Sequence, residues 1–460
     1  MAQFSIKGIV EGFYGTPWTM EARLRILEEM RRIGMNLYVY APKNDLLHRH
    51  QWETPYPKEF MDSFGRLVGF GKENGIGVSM AVSPGLTLTY SDNDKINALV
   101  RKYLTFSVIG VKDFCLFLDD IPPDLQDEKD RREFAGLPEA QAFFTNQVYE
   151  RLYSQATVTS FFFCPTQYRG DSDTPYLHCL GNNLNPAIDV LWTGPEVCSK
   201  EIPYEDGENV SGVLNRKIVY WDNYPVNDGS MIPELHVGPY TGRDKRLAEV
   251  SKGFLINPMN QAYASIPVLY AIARYLDKPD TYDPNIAWES AIAEYAPECT
   301  QSLRLFAKMN LMSPLNREGE GNVVDVWLKE SMVLFQSGKP REAIAFLIEK
   351  AHAMQEASLT LKSTMSLNWL TDVRPWLSEF ENWGTILLGA AQLAGKNAIF
   401  YQEKLEKAKV QEIRDSLASL KKKVKEMVDQ KTCCTGNSIR NYAMKVILIT
   451  DALLGYRTSD

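Results

Sequence analysis

From about residue 5 to about residue 276, short runs of Val, Ile, Phe and Tyr alternate with longer segments whose apolar positions recur every three to four residues. The short runs are 7–10, 37–40, 77–82, 114–118, 160–163, 188–192, 218–221 and 254–256. Most are apolar at consecutive positions, the pattern of strands covered on both faces in a parallel sheet. Segments 19–33, 59–72, 93–107 and 138–153 carry helical spacing between them. Strand and helix units in this alternation predict an α/β fold, a (β/α)8 TIM-type barrel, with the crossover around 176–184 the shortest.

After about Tyr282 the strand pattern ends. Segments 286–295, 323–335, 341–365, 368–393, 400–428 and 442–455 have helical periodicity, which predicts an all-α bundle behind the barrel. The expected division is 1–282 for the barrel and 283–460 for a helical, stalk-like domain, with 317–322 a Gly-rich loop inside the latter. No repeat of fixed period is present, which disfavours a solenoid. A chain of 460 residues suits two units.

Composition narrows the partners. Apolar residues make up 45% and charged residues 23%, ordinary for a globular protein. A net charge of −8 without a long basic run argues against nucleic acid, and Lys421–Lys423 reads as a solvated helix face. No uncharged apolar run is long enough to span a membrane, and residues 1–8 do not resemble a signal peptide. Seven cysteines without CxxC spacing point to reduced thiols and a cytoplasmic setting, with Cys433-Cys434 read as a turn before a redox pair. The five histidines, His48, His50, His178, His236 and His352, lack metal-site spacing, and no Gly-rich phosphate motif is present. Neither a metal nor a cofactor is expected.

A barrel collects its chemistry where the strands end at their C-terminal face. The polar residues there are Glu11 through Gly15, Ala41 through Asp45, Asp119-Asp120, Tyr168, Trp192-Thr193-Gly194, Trp221-Asp222-Asn223 and Asn257. Asp119-Asp120 is the sharpest feature. Two adjacent carboxylates behind Cys115 through Leu118 do not both stay charged and unpaired in a secluded place, so a raised pKa on one is expected, as an acid beside an ionised stabiliser requires. A loop-start aspartate capping a turn before Pro122-Pro123 is the competing reading. Lys43 could hold a hydroxyl or an anion. Gly12 would allow close backbone approach. Tyr14, Tyr168, Trp192 and Trp221 could stack on sugar faces, although aromatic residues in a barrel are more often core.

These residues occur within segments that resemble glycoside hydrolase family 84, which contains the eukaryotic nucleocytoplasmic O-GlcNAcase and bacterial homologues. The segments are GIVEGFYGTPW (8–18), YVYAPKND (38–45), FLDDI (117–121), FCPTQY (163–168), LWTGPEVCSK (191–200), WDNYPVND (221–228), GPYTG (238–242) and LINP (255–258). The resemblance implies a retaining exo-β-N-acetylglucosaminidase, acting on β-linked GlcNAc of Ser or Thr in glycoproteins or glycopeptides through an oxazoline formed by the substrate's own acetamide. Asp119 would orient and polarise the acetamido N–H, and Asp120 would be general acid and then base. Tyr168 would bond the acetamido oxygen, and Trp221 would wall the N-acetyl pocket. Gly12, Lys43, Asn223, Asp228 and Asn257 would hold sugar hydroxyls. Cys164 could face the acyl pocket, with core the commoner place for it.

Two other functions share these residues: hydrolysis of hyaluronan or another GlcNAc polymer, and GlcNAc binding without turnover. The helical part has apolar faces enough for a homodimer or for packing within the chain.

Overall fold

The computed structural model describes residues 2–317, 322–402, 407–427 and 430–456. Eight parallel strands, β1 (Ile6–Glu11), β2 (Leu37–Tyr40), β3 (Gly77–Val82), β4 (Asp113–Phe117), β5 (Ser160–Cys164), β6 (Asp189–Trp192), β7 (Ile218–Asp222) and β8 (Ser251–Ile256), close into a barrel in chain order. The ring shuts where Ile6 lies opposite Gly253 and Ile9 opposite Ile256. Each expected strand is present; 37–40 and 77–82 match the expected bounds, and the others shift at one or both ends by one to three residues.

Alternate positions decide which side chains fill the barrel. Val10, Val39, Ala81, Cys115 and Phe117, Phe162 and Cys164, Leu191, Val219 and Trp221, and Leu255 form one buried cluster, as the period of two in a strand dictates. The intervening residues are buried too, which is why the runs read as continuously apolar. A register shift between Ile218 and Val219 where β7 pairs with β8 brings Gly253 to a φ of +153°. A Cβ there would stand 1.8 Å from the Ile6 carbonyl oxygen, so only glycine closes the barrel at this point.

Helices Met20–Arg32, Lys58–Glu73, Asn93–Val108, Leu137–Tyr153, Pro175–Asn183, Tyr204–Val213 and Ala262–Asp277 return the chain between strands or come after β8. Thr19, Asp92 and Thr174 cap three of them by accepting from the backbone N–H of Ala22, Asp94 and Leu177. The shortest crossover is thus a capped helix with Pro175 in its first turn.

Two buried ion pairs tie strand ends to residues later in the chain. Arg23 grips Glu11 bidentately at 2.8 Å on both contacts. Arg243 grips Asp222, the last residue of β7, at 2.8 and 2.6 Å. All four residues are buried, so removing one partner strands a desolvated charge. Arg243→Met should therefore lower the unfolding free energy by about 3–5 kcal/mol, measured by urea titration. A variant as stable as the parent would contradict this role.

Contacts divide the chain into two compact units: Met1–Gly229 with Pro239–Trp288, and Ser230–Gly238 with Glu289–Asp460. A single boundary after Tyr282 does not anticipate the excursion at Ser230–Gly238. Its reason lies in the backbone: the Pro233 carbonyl accepts from Trp376 Nε1 and from the Cys433 N–H, both at 2.8 Å, and Glu234 pairs with Arg317 at 2.9 Å.

The second unit is built on Thr300–Lys308, Val323–Gln336, Pro340–Thr364, Leu367–Gln402, Lys407–Glu426 and Ser438–Tyr456. The first of these is not evident in the sequence, because its buried stripe is only Leu303, Phe306 and Ala307. Residues 318–321 of the Gly-rich 317–322, and 403–406 and 428 of the segment 400–428, lie outside the described residues. Cys433-Cys434 lies in the connection between two helices, where the Cys434 N–H donates to buried Glu379. No described helix is long and apolar enough to cross a membrane.

Candidate active site

Seven of the eight strand ends converge on a cavity of about 280 Å³. Gly12 and Tyr14 come from β1, Lys43 from β2, Asp119 and Asp120 from β4, and Cys164 and Tyr168 from β5. Trp221, Asn223 and Asp228 come from β7 and Asn257 from β8, while Thr193, Val197 and Cys198 lie after β6. All nine residues singled out as catalytic or substrate-binding thus line one space. A larger cavity of about 950 Å³ lies in the helical unit, but its lining offers a single carboxylate, Glu342, so size does not locate the chemistry.

Lys43 is the hub. Its ammonium contacts Asp119 Oδ2 and lies 3.8 Å from Asp120 Oδ2, with only 2% of its side chain exposed. Burial disfavours its charge, yet the two carboxylates outweigh burial and raise its pKa. Asp119 is buried, and its Oδ1 has no hydrogen-bond partner among the described residues. A desolvated acceptor left unmade is costly and calls for a donor.

Asp120 sits differently. Its backbone is left-handed, with φ +52°. Tyr14 donates to Oδ2 at 2.9 Å and Tyr168 to Oδ1 at 3.0 Å. Burial pushes its carboxyl up, but Lys43, the two hydroxyls and Arg49 together hold it below the ordinary aspartate value. The raised pKa expected of an acid in this pair is therefore not a property of Asp120 in this arrangement, because four neighbouring side chains favour the carboxylate. The acid that burial does raise here is Asp228, against the opposing pull of the Tyr14 N–H and Lys43.

A second part of the wall is a chain of hydrogen bonds from an indole through two side-chain amides to a backbone N–H. Trp221 Nε1 donates to Asn223 Oδ1 at 2.9 Å, Asn257 Nδ2 donates to the same oxygen at 2.8 Å, and the Gly12 N–H donates to Asn257 Oδ1 at 3.3 Å. A Cβ on Gly12 would fall 2.4 Å from Trp221 Cζ2. Glycine is needed at this position to seat the indole, beyond any approach of a ligand to the backbone. Gly12→Ala should displace Trp221 and cut kcat/KM by about 10²-fold, with a shift in tryptophan emission. Unchanged kinetics would show that the indole's place is unimportant.

Trp192, a candidate for stacking, is not in the cavity. It is fully buried and its Nε1 donates to Asp206 at 3.1 Å, since in β6 Leu191 takes the interior position. Burial raises the Asp206 carboxyl to about 6 despite the Trp192 and Tyr220 donors. His48 is also structural: Nδ1 lies 2.8 Å from the Ala81 carbonyl, and burial lowers its pKa to about 4. Among the described residues no group of three or more His, Cys, Asp or Glu could hold a metal ion.

The family described as beta-N-acetylglucosaminidase matches residues 7–308. The chain belongs to that family. It is 38% identical over 274 residues to the protein O-GlcNAcases of Rattus norvegicus and Mus musculus, a match covering 58% of this chain and 29% of each relative. The chain thus spans less than a third of the length of these mammalian proteins. The solved D120N mutant of the Thermobaculum terrenum O-GlcNAc hydrolase superposes with a TM-score of 0.91 at 36% identity, covering 98% of this chain and 96% of that one. CpGH84B superposes with a TM-score of 0.82 at 26% identity, covering 96% and 77%. The resemblance read from the motifs and these matches agree on the family.

Proposed function

We propose that the chain is a retaining exo-β-N-acetylglucosaminidase that releases β-linked GlcNAc from Ser or Thr of proteins or peptides, with the substrate's acetamide as nucleophile. The observation that carries the reading is the unpartnered Asp119 Oδ1, an acceptor suited to an acetamido N–H. With Lys43 compensating its other oxygen, Asp119 holds the amide so that its carbonyl oxygen reaches the anomeric carbon. Asp120 protonates the departing oxygen, and the oxazoline is then opened by a water that Asp120 deprotonates.

The placement of the carboxyls favours this chemistry over a protein nucleophile. Two retaining carboxyls normally stand about 5–5.5 Å apart on opposite faces of the sugar. Here they belong to adjacent residues and share one ammonium. An intramolecular acetamide also brings a high effective molarity.

Tyr168 is assigned the acetamido oxygen. Turning its hydroxyl from Asp120 to the substrate removes one of the interactions that depress Asp120's pKa, so the acid gains proton affinity as substrate arrives. Trp221 walls the N-acetyl group, and Gly12, Lys43, Asn223, Asp228 and Asn257 hold hydroxyls. A cavity below the ~300–1,000 Å³ common for ligand pockets suits one terminal sugar. Thiols without a disulfide suit a cytoplasmic protein.

Turnover of an aryl β-N-acetylglucosaminide and of a peptide bearing β-GlcNAc on Ser tests the reading. A polymer hydrolase would prefer oligomers to both, and a binding module would turn over neither.

A further inference from the structure

Arg49 reaches Asp120 by two routes. Its Nη2 donates to the Asp120 backbone carbonyl at 3.2 Å, and its Nη1 donates at 2.7 Å to the Tyr14 hydroxyl, which itself donates to Asp120 Oδ2 at 2.9 Å. Arg49 is buried and does not line the cavity. These hydrogen bonds go to a hydroxyl and a carbonyl instead of a carboxylate, an expensive use of a desolvated guanidinium if packing were all it provided.

Both routes end on groups whose position is otherwise constrained. Asp120 has a left-handed backbone, a conformation that costs energy for a residue with a side chain and persists where neighbours hold it. The Arg49 contact to its carbonyl is such a restraint. Tyr14 is fixed along its backbone, its N–H donating to Asp228 Oδ2 at 2.7 Å and its carbonyl accepting from Asn260 Nδ2 at 3.1 Å. Its ring also lies under the guanidinium, 5.5 Å from Cζ to the centroid. The hydroxyl is therefore a fixed mark against which the Asp120 carboxyl is aligned.

We propose that Arg49 is a positioning residue for the acid, holding the Asp120 backbone directly and its carboxyl through Tyr14. The proposal rests on Asp120 as the acid of the proposed reaction. The groups facing Asp120 are Tyr14, Lys43, Arg49, Tyr168, Cys164 and Asp228, besides its neighbour Asp119. Arg49 is among those that lower the Asp120 pKa. Its removal thus favours the protonated form while loosening the geometry in which the proton is delivered.

The test compares Arg49→Met, Arg49→Lys and Tyr14→Phe on substrates with poor and activated leaving groups, alongside Asp120→Asn, with unfolding midpoints recorded for each. Arg49→Met should lose up to about 10²-fold in kcat/KM on the poor leaving group and much less on the activated one, and its alkaline limb of kcat/KM should move to higher pH. Arg49→Lys, which keeps the charge, should restore the limb but only part of the rate. Tyr14→Phe, which removes one hydroxyl and leaves the direct contact, should show a smaller loss with the same leaving-group dependence. Equal losses on both substrates and an unmoved limb, with Asp120→Asn still discriminating between them, would overturn the role of Arg49 and leave Asp120 as the acid. If Asp120→Asn does not discriminate either, both the positioning role and the reading of Asp120 fall.

Discussion

Asp120→Asn should reduce turnover of a substrate with a poor leaving group by roughly 10²–10⁴-fold, the usual worth of general acid catalysis. The first step on an activated aryl glycoside, read as kcat/KM or as the burst rate, should lose far less, since a phenolate of low basicity departs without a proton. The structure makes this a clean substitution. Asparagine keeps an oxygen able to accept from Tyr14 or Tyr168 and can occupy the left-handed backbone that Asp120 adopts. Geometry should therefore survive while the transferable proton is lost. The second step also needs Asp120, as a base, so the activated substrate should show a burst of phenol and then slow turnover. Equal losses on the two substrates, without a burst, would assign Asp120 another role.

The second large effect concerns the nucleophile. Replacing the acetyl hydrogens of the substrate with fluorine withdraws electrons from the amide oxygen with little change in shape, so kcat/KM should fall with each fluorine added. A protein nucleophile would leave the acyl group a spectator and the series flat. Asp119→Asn should slow formation of the intermediate for good and poor leaving groups alike, by roughly 10²–10³-fold if its charge is worth as much as an oxyanion-hole donor, and should flatten the fluorine dependence. Asp119 is also the contact partner of buried Lys43, so the unfolding midpoint must be recorded with the rate. A slower but fluorine-sensitive enzyme of much reduced stability would mean that Asp119 serves Lys43 and not the amide. A covalent sugar adduct on either carboxylate would end the substrate-assisted scheme.

The family matters to both tests in a limited way. The match to the mammalian proteins covers 29% of their length, so protein substrates remain part of the proposal, whereas the leaving-group and fluorine experiments address chemistry that the cavity residues alone must perform.

Legible in the amino-acid sequence alone were the barrel and most of the polar residues at its mouth; Asp228 came only from the resemblance, and Val197, Cys198 and Val226, which also line the cavity, carried no signal of their own. Strands buried on both faces leave continuous apolar runs, and a strand end forces the chain from core to surface, so Asp119-Asp120 after Phe117-Leu118 and Asn257 after Ile256 were visible as polar residues at the mouth. Side-chain partners were not visible, because each is supplied by a different strand end. Trp192 and Trp221 have the same chemistry and the same position near a strand end, yet strand parity sends one to Asp206 and the other to the cavity. The pKa of Asp120 depends on Tyr14, Lys43, Arg49 and Tyr168, residues that come after the first, second and fifth strands of the barrel, which turned an expected raised acid into a depressed one. Arg49 carried no local signal at all: an arginine in a loop is ordinarily solvated, and only the closed barrel buries it against Tyr14 and the Asp120 carbonyl. Apolar periodicity is a local property of the chain, whereas proton affinity and orientation are properties of the groups that the fold brings within a few ångströms.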